Sequence, residues 1–95
     1  MSDAMAELTG RFKVEAQERA AAIGQLLDEL GVEGEGSAVY DTIRDHAHKI
    51  KGAAGVFGFD DLKARAASLE EAAAAEAQID EMKGAASGLF AALPE

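Results

Sequence analysis

Apolar residues recur at helical spacing along nearly the whole chain. Leu8, Phe12, Ala16, Ile23, Leu27 and Leu30 stand three, four or seven positions apart, which predicts one amphipathic helix over about residues 4–30. Ser2 or Asp3 is positioned to cap it. Gly10 and Gly24 each weaken this helix by up to about 1 kcal/mol relative to alanine, so a break near Gly10 is one expected outcome. A second stripe, Val39, Ile43, Ala47, Ile50, Ala54 and Phe57, predicts a helix over 38–57, capped by Ser37 and ended by Gly58. Leu62, Ala66, Leu69 and Ala73 predict a third helix over 60–75, in which Asp60 or Asp61 accepts from the first free N–H groups. Ile79, Met82, Ala86, Phe90 and Leu93 predict a fourth over 78–93, which Pro94 discourages from continuing. No strong cap separates it from the alanine run at 72–75.

The punctuation between these helices is brief. Gly31-Val32-Glu33-Gly34-Glu35-Gly36-Ser37 reads as a turn, since it is short for a domain linker. Four amphipathic helices with short connections have one common solution, an all-α antiparallel up-down four-helix bundle. Ninety-five residues suffice for one such domain, residues 1–95, with little to spare.

Composition narrows the picture. The chain is 48% hydrophobic with a single proline, a helix-forming balance without the β-branched alternation of strands. It has no cysteine, which excludes disulfides and thiol chemistry and fits a reducing cytoplasm, the expected location. No apolar run approaches a membrane span, and the start lacks the basic-then-apolar layout of a signal peptide. A net charge of −9 argues against nucleic acid as a partner. That charge is uneven. Residues 41–65 hold five cations and four acids, a net of +1, which leaves −10 for the remainder. An anionic group would be favoured only at this near-neutral patch.

The patch also holds the chain's chemistry. On a helical projection His46 and His48 stand about 200° apart and cannot clasp one ion, so no metal site is expected. Ser68 and Ser87 lack the glycine elbow of a hydrolase, and no phosphate-binding loop is present. His46 falls at the edge of the apolar face, where a structural role with one nitrogen hydrogen-bonded is expected. His48 faces water, where neutral imidazole is a competent nucleophile toward phosphorus. Lys51, one turn on, is placed to offset charge on a transferring phosphoryl group. Gly52 leaves a dent beside the imidazole, and Ala53 and Gly55 keep the neighbourhood low for a partner's backbone.

Ala47-His48-Lys49-Ile50-Lys51-Gly52-Ala53-Ala54, followed by Phe57-Gly58, resembles the signature of histidine-phosphotransfer domains. Leu62, Ala66 and Leu69-Glu70 resemble the third-helix pattern of the same family, so the specific similarity covers residues 47–70. The resemblance implies a four-helix bundle acting in a two-component phosphorelay. It implies His48 as phosphoacceptor, Lys51 as stabiliser of the phosphoryl group, and Gly52 as clearance for a response-regulator receiver domain; Gly55, Lys49 and Arg44 are expected to complete the docking surface with Gly52. A histidine kinase or hybrid kinase would stand upstream. No cofactor is expected on this chain; the acceptor aspartate and the Mg²⁺ of the transfer would belong to the receiver. Relatives often carry serine where Ala53 and Ala54 stand, so no hydroxyl contribution is implied here.

Three other readings compete. A chemotaxis-type kinase carries a similar phosphoacceptor domain, although Met1 and Pro94 favour a stand-alone unit. A pure interaction module would bind receivers without carrying phosphate. A plain structural bundle would leave the Lys51-Gly52 pair after His48 as coincidence. The default oligomeric state is a monomer, because no apolar stripe remains once core positions are assigned.

Overall fold

A computed structural model describes residues 2–33 and 37–94. Four helices follow one another: α1 (Ser2–Glu33), α2 (Ser37–Phe57), α3 (Asp60–Ala74) and α4 (Ile79–Ala91). Each packs on its chain neighbours, and α1 closes the ring against α4, with no diagonal pairing among the described residues. Cross-helix pairs run in opposite senses. Phe12 and Arg19 on α1 meet Phe57 and His46 on α2, and Gly55 and His48 on α2 meet Lys63 and Glu70 on α3. The architecture is the antiparallel up-down bundle that the periodicity predicts.

The core follows the stripes. Ile23, Ile43, Ile50, Leu62, Leu69, Met82 and Leu89 are the largest fully buried side chains. Each contributes about 1.5–3 kcal/mol through burial. Alanines at 16, 20, 47, 54, 66, 72, 73 and 86 fill the space between them. Short side chains on facing helices permit close approach, most extensively between α2 and α3.

Several expectations need correction. α1 is continuous through Gly10 and Gly24 and runs Ser2–Glu33 rather than 4–30. Its 32 residues span about 48 Å at 1.5 Å per residue, the full 48 Å length of the molecule. The first two turns therefore overhang the other helices, which leaves Leu8 exposed rather than in the core. In α4 it is Leu89, not Phe90, that enters the core, and Phe90 is 37% exposed. The expected turn at 31–37 falls partly on residues 34–36, which lie outside the described residues. Ser37 is the first residue of α2, and its hydroxyl lies 3.3 Å from a Glu76 carboxylate oxygen.

The turns that join α2 to α3 and α3 to α4 share one design. Gly58 takes φ +81°, and the Phe59 N–H then donates to the Ala54 carbonyl at 2.9 Å, closing α2 as the glycine predicts. The cap of α3 is not an aspartate. Phe59 holds that position without a side-chain bond, while Asp60 and Asp61 occupy the first turn and suit the helix dipole. Phe59 is committed elsewhere: its ring lies 5.3 Å from Phe12, which also stacks on Phe57 at 5.2 Å. After α3, Glu76 adopts φ 50° and Ala77 N–H donates to Ala72 O, a glycine's role filled by glutamate. The sequence carries no capping signal there for that reason.

Candidate functional site

The tight α2–α3 turn sets which residues meet across the pair. Residues equally far from Phe59 along the two antiparallel helices come opposite each other. Gly55 and Lys63 stand four positions from it, and His48 and Glu70 stand eleven. Both pairs are in contact.

His48 sits on the open side of α2 with its side chain 62% exposed. Its Nδ1 lies 2.9 Å from Glu70 Oε2. The other oxygen of the same carboxylate, Oε1, lies 2.6 Å from the Lys51 ammonium. Glu70 is thus shared between the histidine and the lysine. Hydrogen bonding from Lys51 above all, opposed by burial and helped by the bond from His48, holds the Glu70 carboxyl below the usual glutamate range. An ionised carboxylate only accepts, so His48 Nδ1 carries the proton and Nε2 holds the lone pair. On an exposed ring anchored through Nδ1, Nε2 is the nitrogen left to act as nucleophile.

The expected site residues separate into groups. His48 and Lys51 are brought together, one turn apart on α2. Arg44 is exposed one turn before His48 and lines one polar cleft with His48, Lys51 and Glu70, which Asp41, Asp45 and Glu71 share. Lys49 turns toward the α1 side and pairs with Asp45 at 3.1 Å, away from Glu70. That pairing, with its hydrogen bond as the leading cause, holds the Asp45 carboxyl below its ordinary value. Gly52 is open, since a Cβ there would meet nothing within 4 Å. Gly55 is not bare as expected: the Lys63 side chain crosses from α3 and lies 3.5 Å from where a Cβ would stand.

His46 has the structural role expected of it. Its Nδ1 lies 3.2 Å from Arg19 Nη1 across the α1–α2 contact. Arginine only donates, so this nitrogen accepts and the ring is neutral. Burial first, and then the Arg19 guanidinium, push His46 below the ordinary histidine value. The described residues contain no group of acids, histidines or cysteines arranged to hold a metal ion.

Glu70 is the residue that the sequence reading missed as part of the site, having met it only within the third-helix pattern Leu62, Ala66 and Leu69-Glu70. The available signal was the turn itself, because counting eleven residues back from Phe59 and eleven forward pairs His48 with Glu70.

A family model described as Hpt domain matches residues 7–93. Comparison with curated proteins and with solved structures yields no match.

Proposed function

The chain belongs to the Hpt domain family, the histidine-phosphotransfer modules of two-component signalling, and from that premise we propose that it is a phosphocarrier acting through His48. The substrate is the aspartyl phosphate of a response-regulator receiver domain, and the reaction is reversible. A histidine kinase or hybrid kinase supplies the phosphoryl group upstream. The observation that carries this reading is the exposed imidazole whose Nδ1 is held by Glu70 at 2.9 Å, which aims Nε2 outward.

The Nε2 lone pair forms the N–P bond while the P–O bond to the aspartyl carboxylate breaks and the carboxylate leaves with the electron pair. The ring keeps its Nδ1 proton throughout. The positive charge of the phosphorylated imidazole therefore develops against the Glu70 carboxylate, much as a buried acid steadies a catalytic imidazolium. Lys51 has three N–H donors; one holds Glu70, and the others can reach phosphoryl oxygens. Little covalent chemistry is asked of the protein, so its contribution is positioning and charge offset. Mg²⁺ and the acceptor aspartate belong to the receiver, and this chain acts as a carrier rather than a kinase. Gly52 gives the receiver's backbone room beside the imidazole.

The test is incubation with a phosphorylated receiver domain and Mg²⁺, following label on wild type and on His48→Gln. Acid-labile, base-stable label on the wild type alone is the expected result. No label on either protein, with receivers that demonstrably bind, would overturn the reading and favour a receiver-binding module without phosphotransfer.

A further inference from the structure

The face of α2 around His48 has two unlike halves. Toward the start of α2, the cleft that holds His48, Lys51 and Glu70 is also lined by Asp41, Asp45 and Glu71 and by one arginine, Arg44. Toward its end lie Gly52, Gly55 and the 77% exposed Val56. One cation is delivered onto this second half from another helix. The Lys63 side chain leaves α3 and lies along the backbone of α2 at Gly55, its Nζ 3.7 Å from where a Cβ would stand. Gly55 follows His48 by seven residues, about 10.5 Å along the axis and within about 20° of the same azimuth. The Lys63 ammonium therefore sits on the strip of surface that His48 itself occupies. Lys51 and Lys49 are engaged by Glu70 and Asp45, whereas Lys63 and Arg44 make no ion pair among the described residues; of these two, Arg44 shares its cleft with Asp41, Asp45 and Glu71.

Resting on the phosphocarrier reading above, we infer that Lys63 is a docking residue that sets the direction in which the receiver covers the site. A protein surface that presents a phosphoacceptor aspartate and oxygen ligands for Mg²⁺ is rich in carboxylates. Such a surface is repelled by the acids at the start of α2 and attracted by an uncommitted ammonium at its end. The receiver accordingly lies over Gly52, Val56 and Lys63, with Val56 as an apolar contact and the Asp41 end left uncovered. Glycine at 55 is part of this arrangement, because the lysine stem occupies the space beside its α-carbon.

The experiment measures phosphoryl transfer from phosphorylated wild type and variants to one receiver, chosen as the fastest acceptor from a purified panel. Lys63→Glu should lower the second-order rate constant about tenfold at low salt, with the difference shrinking as salt rises, because a rim charge acts mainly on encounter. The transfer rate at saturating receiver should stay near that of the wild type. Lys63→Ala should show a smaller loss in the same direction, and circular dichroism checks that both variants are folded. Asp41→Asn, a charge change at the opposite end of the strip, should stay within about twofold. Lys63→Glu transferring as fast as wild type at low salt, or a loss confined to the saturated rate, would overturn the assignment. The carrier reading fails separately, if wild type takes no phosphoryl group from either a phosphorylated receiver or phosphoramidate.

Discussion

At the scale of single residues, one carboxylate organises the site. Glu70 fixes the His48 tautomer through Oε2 and restrains Lys51 through Oε1, so its loss should disturb both orientation and charge. Glu70→Ala is expected to slow phosphoryl transfer by about tenfold to a hundredfold, the range seen when a metal-ligating imidazole loses the hydrogen-bond partner that orients it. Glu70→Gln keeps an acceptor for the Nδ1 proton but removes the negative charge, and should fall between. Single-turnover rates at saturating receiver measure this directly, because receiver binding then no longer limits. Equal rates in all three proteins would show that the contact is incidental.

At the scale of elements, Gly52 and Gly58 do opposite things to α2. Gly58 holds a left-handed conformation that closes the helix and sets the register of α3. Gly58→Ala forces a side chain into that conformation and should destabilise the fold by about 1 kcal/mol or more. Gly52 lies within α2 with open space where a Cβ would go. Gly52→Ala should therefore stabilise the fold by up to about 1 kcal/mol. Denaturant titrations with a common slope would show the two midpoints moving in opposite directions. A glycine retained at a helical position where alanine is more stable fits a surface kept low for a partner.

At the scale of the whole molecule, acid should loosen the bundle through His46 before it reaches the carboxylates. His46 is neutral between α1 and α2, with its affinity for a proton reduced first by burial and then by Arg19. The unfolded chain binds that proton near the ordinary histidine value of about 6.5. As the pH falls through this value the unfolded state gains a proton that the folded state resists, so stability is lost. Glu70 and Asp45 are shifted in the same direction, but from carboxylate values, so their contributions hold above about 4.5 and fade only below it. Melting temperatures between pH 7.5 and 5 should fall more steeply in wild type than in His46→Gln, which can still accept from Arg19 without titrating. Parallel curves would remove His46 as the cause.

Periodicity by itself determined the number of helices, most of their buried faces and the all-α class, because amphipathic spacing is a local property of the chain. The exposure of His48 and its nearness to Lys51 were legible for the same reason, since both lie on one helix. Relations between helices were less accessible. Leu8 continues the α1 stripe but protrudes, because burial depends on how far the neighbouring helices reach. Asp60 and Asp61 read as caps, yet Phe59 holds the cap position, because its ring packs on Phe12 from another helix. Leu89 displaces Phe90 from the core through a small rotation of α4 that periodicity does not resolve. The Glu70 bridge, the Arg19–His46 contact and the reach of Lys63 over Gly55 were decided only by tertiary structure. Each joins residues from different helices, and the register between two helices is set by a turn and a packed interface rather than by the pattern within either one.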